Sequence, residues 1–444
     1  MEAESTEPIE SLSIPEAMRL AMELHRGHNL ESAEKIYQRV LAIAPEHPDA
    51  LHYLGILAHQ EGRRDEAIRL MARSVELVPD HAGFHSNLGN LMFTCERFDE
   101  AEREYRLALE LEPDRPEVLN NYALLCKGLR RNEESERNFL RAIELAPDFS
   151  DARNNLAQLY TQLRRIDEAI EQACEALIRD PRAERARDQL GIAYRLLKRY
   201  DDAIKVYQDW LQEDPGNPRA MHHLAALTGV DVPARASDVY VAQLFDRFSD
   251  SFDAQLAKLE YRAPSLVGQA VAARLGVPAG QLDVLDAGCG TGLCGPLLRA
   301  CARSLQGVDL SAGMLKNARA RAVYDELHQA ELTAHLLAHP DSCDLIVSAD
   351  TLVYFGELDE AMRAAALALR RGGHLCFTVE ALPAGDERDY VLQHHGRYAH
   401  AKAYLEAVLA RHGMEPLAIS QETLRTECTD QVVGWLVMAR KPGP

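Results

Sequence analysis

The feature that most restricts this chain is a period. Prolines stand at Pro45, Pro79, Pro113, Pro147, Pro181 and Pro215, each 34 residues from the last. Small residues keep a fixed distance ahead of them, at Ala33, Ala67, Ala101, Ser135, Ala169 and Ala203. Pairs ending in a small residue recur further upstream: Leu54-Gly55, Leu88-Gly89, Tyr122-Ala123, Leu156-Ala157 and Leu190-Gly191. Aromatic or large side chains recur close to one position of the period, at Tyr37, Leu70, Tyr105, Phe139 and Tyr207. One helical hairpin explains each feature. Small residues let its two helices approach, and the large residue fills the space left between them. The proline ends the second helix, because it has no N–H to donate. Such a hairpin cannot bury its apolar face alone, so the repeats must stack into a continuous core. Six repeats fit, and the amphipathic stretch "PRAMHHLAAL" caps them, so residues 14–228 read as an all-α superhelix.

This pattern resembles the tetratricopeptide repeat. The resemblance implies a concave groove that takes a peptide or protein partner, against the plainer alternative of a rigid spacer or assembly surface. Asn87, Asn121, Asn154 and Asn155 fall on first helices near that groove, where asparagine amides can pair with an extended backbone or stay solvated.

The period ends at "TGVDVPARASD". Residues 229–235, with Gly229 and Pro233, read as a linker, and residues 1–13 as an acidic tail. From residue 236 to 444 a helical lead-in gives way to strand-like and helix-like segments in alternation. That order signals an α/β domain with a mostly parallel sheet covered on both faces. The strands expected are "DVLDAG", "LQGVDL", "DELHQAEL", "CDLIVSA" and "HLCFTVE". "EPLAISQETLR" and "QVVGWLVMARK" follow, joined by the short "TECTD", which makes the last strand antiparallel to its neighbour.

Composition closes off several function classes. The net charge of −20 repels phosphate backbones and argues against nucleic acid. Nine cysteines contain no C-x-x-C pair, which argues against a disulfide framework or zinc ribbon and for a reducing cytoplasm. No apolar run approaches the ~20 residues that span a bilayer, and "MEAESTEPIES" has no signal core, so neither membrane insertion nor export is expected. No metal site is expected: His394, His395 and His400 lack zinc spacing. Oligomeric state is not legible.

"VLDAGCGTGLCG" carries the chemistry. It fits G-x-G-x-G from Gly288 and G-x-G-x-x-G from Gly290, the second being a dinucleotide fingerprint. Asp309 lies about 20 residues beyond either frame, where a ribose ligand belongs. Other features favour the first frame. The strand runs into Gly288, which must make the sharp exit. Asp286, at the strand's carboxyl end, suits a cationic amino-acid moiety and would repel a pyrophosphate. Acids recur after successive strands at Asp286, Asp309, Glu331 and Asp350, which suits a cationic adenosyl ligand without phosphates.

With "GVDLSAGML" following in order, residues 236–442 resemble a class I S-adenosylmethionine-dependent methyltransferase. With "LFDRFSDSFDAQLAKLEYRAP", "ADTLVYFGELDEAM" and "GRYAHAKAYL", the chain resembles a bacterial group that joins tetratricopeptide repeats to such a domain. The resemblance implies a Rossmann-like seven-stranded sheet of order 3-2-1-4-5-7-6, S-adenosylmethionine as cofactor and S-adenosylhomocysteine as product. It further implies that Gly288, Cys289 and Gly290 approach the methionine part and Asp309 holds the ribose. Leu310 and Met314 flank the adenine, Glu331, where Asp is usual, reaches its amino group, and Leu332 beside it is a further cofactor-binding candidate.

On the acceptor side, Asp350 and Tyr354 follow the fourth strand and should face the methyl group. "SADTLVYF" replaces the N-P-P-Y-like motif of nucleobase and amide methylases. His400 is a candidate base, Tyr261 and Arg262 candidates to close over the donor, and Arg262 or Arg397 to pair with an acceptor carboxylate. The expected function is O- or N-methylation of a peptide, protein or carrier-bound acceptor recruited by the repeats. The alternatives are a scaffold with a non-catalytic domain, or a small-molecule enzyme whose repeats only mediate assembly.

Overall fold

The computed structural model describes residues 12–249, 252–276, 280–427 and 430–443. The acidic tail up to residue 11 and Cys428 lie outside the described residues. Two compact units divide between Ala193 and Tyr194.

The first unit is a run of helical hairpins, from α1 (Ile14–Arg26) and α2 (Leu30–Ile43) to α9 (Ser150–Gln162) and α10 (Ile166–Arg179). The next helix, α11 (Glu184–Leu196), crosses the division. The small residues mark where helices touch. A Cβ on Gly55 would stand 2.5 Å from Met71 Cγ, and one on Gly89 2.9 Å from the Tyr105 ring. The turns hold a left-handed residue on the same period, at His28, Gly62, Glu96, Arg130 and Arg164. The asparagines form a ladder between repeats: Asn121 Nδ2 donates to Asn90 (3.0 Å), Asn155 Nδ2 to Asn120 (2.8 Å), and Asn87 Nδ2 lies 3.0 Å from His52 Nε2. Three of the four asparagines read as free to pair with a partner's backbone or stay solvated are thus engaged within the array. Asn154 alone keeps a buried Oδ1 without a partner among the described residues.

The second unit opens with the rest of α11, then α12 (Tyr200–Glu213), α13 (Pro218–Thr228), α14 (Asp238–Phe248), α15 (Phe252–Lys258) and α16 (Ala263–Leu275). Its sheet places β1 (Leu282–Ala287), β2 (Ala302–Asp309), β3 (Glu326–Gln329), β4 (Cys343–Ser348) and β5 (Leu369–Ala381) in the parallel order β3-β2-β1-β4-β5. A short hairpin, β6 (Tyr390–Leu392) and β7 (Tyr398–His400), follows; then come β8 (Glu415–Glu427) and β9 (Asp430–Arg440). β9 lies antiparallel between β5 and β8. Without the β6–β7 hairpin the order is the expected seven-stranded one.

Alternation along the strands builds two cores. Leu285, Ile346, Leu375, Phe377 and Val437 face one side with α19 (Leu332–Ala338), α20 (Asp359–Ala368) and α21 (Lys402–Arg411). Val284, Leu345, Val347, Cys376 and Met438 face the other with α16 and the short α17 (Gly295–Leu298). The remaining helix, α18 (Ala312–Ala320), follows β2. No described helix is long and apolar enough to cross a membrane.

The expected boundary at residues 229–235 falls inside this compact unit, and side-chain packing gives the reason. His222 Nε2 on α13 lies 2.7 Å from the Gly396 carbonyl oxygen. Ala225 and Ala226 pack on Leu392 and Tyr398, and the Tyr398 hydroxyl donates to Pro233 O at 2.6 Å. The helix that caps the array in sequence is therefore also the support of the β6–β7 hairpin.

Candidate active site

The carboxyl ends of β1 to β4 open on a cavity of about 320 Å³, within the ~300–1,000 Å³ common for small-molecule sites. Gly288 leaves β1 at φ +76, and a Cβ there would stand 2.1 Å from Thr351 Oγ1, so only glycine fits. Gly290, at φ +55, would put a Cβ into open space. Its N–H donates to Asp309 Oδ2 at 2.8 Å, while Ser311 N–H donates to Oδ1 at 2.9 Å. The turn after β1 and the acid ending β2 are therefore one assembly. Burial pushes the Asp309 carboxyl up, against the pull of these backbone donors. Glu331 also lines the cavity, but its two oxygens cap α19, accepting from Thr333 N (3.0 Å) and Ala334 N (2.7 Å).

Helices α14 and α15 close the cavity with Val241, Leu244, Phe245, Phe252 and Leu256. Two acids pin them. Asp246 accepts from the Ser311 hydroxyl and from Gly313 N (3.1 Å), and Asp253 pairs with Arg321 and accepts from the Thr291 hydroxyl.

Tyr261, Gly288, Cys289, Gly290, Asp309, Leu310, Glu331, Leu332, Asp350 and Tyr354 all line this cavity. Four expected site residues do not. Asp286 is 1% exposed and turned away from it, and its Oδ2 accepts from the Tyr324 hydroxyl at 2.6 Å. Burial pushes its carboxyl to about 7, the Tyr324 bond pulling the other way. Met314 sits in the first turn of α18, whose winding buries it to 1%. Arg262 is exposed at the start of α16, its backbone N–H tied to Leu424 O. His400 is fully buried between Tyr390 and Tyr404, its Nε2 3.1 Å from the Gly356 carbonyl oxygen, so it is no base for this cavity.

The sequence profile of the methyltransferase domain matches residues 285–377, and tetratricopeptide repeat profiles match 24–76, 58–125, 127–184 and 184–227. The chain joins a tetratricopeptide-repeat array to a methyltransferase domain. Methyltransferase-like protein 27 of Homo sapiens is 38% identical over 98 residues, 22% of this chain and 40% of that protein's own length. Among solved structures, PilF of Pseudomonas aeruginosa shares 17% identity over 48% of this chain and 96% of its own, with a TM-score of 0.42. PilW, a type IV pilus biogenesis factor, shares 18% over 47% and 96%, with a TM-score of 0.44.

The methyltransferase domain also holds a charge cluster that motif reading did not find. Arg425, on β8, is 4% exposed and reaches three carboxylates: Asp350 (2.7 Å), Glu427 (2.7 Å) and Glu380. Arg397, from the β6–β7 hairpin, pairs with Glu380 (2.6 Å) and Glu427. Burial raises the Asp350 carboxyl against the pull of Arg425, whereas Glu427, also raised by burial, is drawn down to about 2 by Arg397 and Arg425. Asp350 itself sits at φ +56, a left-handed conformation that aspartate tolerates better than most residues. β7 brings Arg397 here. It pairs with Glu380 and Ala381 of β5 just past Phe377, where β4 leaves that edge. The hairpin therefore extends the sheet over the carboxyl end of β4.

Proposed function

We propose that the methyltransferase domain transfers the methyl group of S-adenosylmethionine to an oxygen or nitrogen of an acceptor recruited by the repeat array, releasing S-adenosylhomocysteine. The supporting observation is the turn itself: Gly290 is open to the cavity where its neighbour Gly288 is closed by Thr351, and Asp309 stands against it. This cradle fits an adenosyl amino acid. A carboxylate braced by two backbone donors keeps lone pairs for ribose hydroxyls.

When bound, S-adenosylmethionine supplies a methyl group on a sulfonium whose leaving group is a neutral thioether. The chain's part is then to bind, align and keep water out. Asp309 would hold the ribose hydroxyls, Leu310 and Leu332 the adenine faces, and Glu331 the adenine amino group. The glycine backbone from Gly288 to Gly290 would take the methionine part. Tyr261 and the apolar side chains of α14 and α15 would exclude water above it. Asp350 and Tyr354 would face the acceptor.

Calorimetry with S-adenosylmethionine, S-adenosylhomocysteine and NAD tests this reading. Micromolar binding of the first two is expected, about −8 kcal/mol. Tight NAD binding with no response to the adenosyl ligands would overturn it.

A further inference from the structure

Three polar groups line the acceptor side of the cavity without a hydrogen-bond partner among the described residues: the hydroxyls of Tyr261 and Tyr354, and Nη1 of Arg397, whose Nε and Nη2 serve Glu380 and Glu427. Burial pushes both tyrosine hydroxyls up, so they keep their protons and act as donors. Together with the guanidinium they form a set of donors with nothing to donate to.

The groups that would take a proton are engaged. Asp350 uses Oδ2 for Arg425 (2.7 Å), and its Oδ1 faces the Thr378 hydroxyl (3.3 Å). Glu427 is neutralised by two guanidiniums. No histidine or lysine is among the described lining residues. His395, next to Arg397 in sequence, is turned to Glu380 at 3.4 Å. A hydroxyl or ammonium acceptor has to give up a proton during transfer, and an unengaged base to receive it is missing from this wall.

We infer that the acceptor atom is a carboxylate oxygen, held by Arg397, Tyr354 and Tyr261. This rests on the methyl-transfer reading above and narrows it. A carboxylate arrives ionised and accepts from all three donors. One oxygen lone pair forms the new carbon–oxygen bond. The methyl–sulfur bond breaks with its electron pair going to sulfur, so the sulfonium becomes a thioether and the carboxylate a methyl ester. No proton moves. Esterification also removes the charge that Arg397 holds, so product is gripped less tightly than acceptor. The neighbouring wall of Leu244, Phe245 and Leu256 suits an apolar stem behind the carboxylate.

Two measurements test the assignment. In the first, full-length protein saturated with S-adenosylhomocysteine is titrated with hexanoate and with the isosteric hexanamide. Hexanoate should bind at least tenfold more tightly, and Arg397→Gln should abolish the difference. Because Arg397 also braces buried carboxylates, Tyr354→Phe and Tyr261→Phe are run beside it. Each should weaken hexanoate severalfold, and Tyr354→Phe should do so while keeping the affinity for S-adenosylhomocysteine. Equal affinity for the two probes, or no effect of these variants, overturns the inference. In the second, methyl-tritiated donor is incubated with the protein and a cell extract, and the labelled material is treated with alkali. Volatile methanol is expected from an ester. Label that survives alkali marks an ether or N-methyl product and overturns the carboxylate assignment while leaving methyl transfer standing. Failure to bind donor or transfer label defeats the methyl-transfer reading itself.

Discussion

Asp309 and Asp286 show how far identity alone locates a residue. Both are acids at carboxyl ends of neighbouring strands, yet only Asp309 faces the cavity; Asp286 faces Tyr324. Strand position was legible, but the partner of Asp286 was not, because Tyr324 lies 38 residues away on no recognisable motif. Two predictions separate them. Asp309→Ala should weaken donor binding by about 2–4 kcal/mol in a titration, since hydrogen bonds to charged groups contribute about 1.5–3 each and do not add fully. An unchanged affinity would remove Asp309 from the donor site. Asp286 should instead govern stability. Its folded carboxyl lies near 7, above the ~3.9 of an unfolded aspartate. A raised carboxyl contributes stability that is complete below the unfolded value and lost as pH rises through the folded one. Wild type should therefore lose a few kcal/mol relative to Asp286→Asn between about pH 4 and pH 7, read from urea midpoints. A pH-independent difference would mean that this carboxyl ionises normally.

The repeat helices were legible because a single period imposes the same small and large residues on every hairpin. Their turns were not. The left-handed position is glycine only at Gly62, and His28, Glu96, Arg130 and Arg164 carry no signal for it. A non-glycine residue in that conformation costs about 1–2 kcal/mol, part of which glycine gives back in unfolded-chain entropy. Arg130 is exposed, so Arg130→Gly should raise stability by about 0.5–1 kcal/mol in urea unfolding; a loss would contradict the turn geometry. The β6–β7 hairpin escaped the sequence for another reason. Its strands have three residues each, too short for alternation to register, and "QHHG" between them reads as plain loop. Arg397 was a candidate for an acceptor carboxylate from sequence, but without that hairpin nothing placed it at the sheet, and Arg425 was hidden because its three carboxylate partners come from β5, β8 and the end of β4. Motifs find residues near one another in sequence, whereas this cluster exists only once the sheet has formed.

At the scale of the whole chain, the order of array then domain was plain from the loss of the 34-residue period, but the structural division lies between Ala193 and Tyr194. That displacement says where the chain can be cut. Removing residues 1–183 leaves α11, α12 and α13 intact. Removing residues 1–217 strips α11 and α12 from beneath α13, taking Tyr207 and Trp210, which share a core with Leu227, and Tyr200, whose ring stands 4.4 Å from His394 in the hairpin. Aromatic contacts of this kind contribute about 0.5–1.5 kcal/mol each beyond their burial, and here they bear on the loop that carries Arg397. The shorter deletion should bind S-adenosylhomocysteine and hexanoate like the full chain, while methylation of a macromolecular acceptor falls. The longer deletion should still bind S-adenosylhomocysteine, because the glycine turn and Asp309 rest on β1 and β2, but should lose hexanoate. Titration of both truncations with both ligands decides the matter. If the longer deletion keeps hexanoate binding, the end of the array is only a cap. If the shorter one already loses it, repeats before α11 support the acceptor site as well.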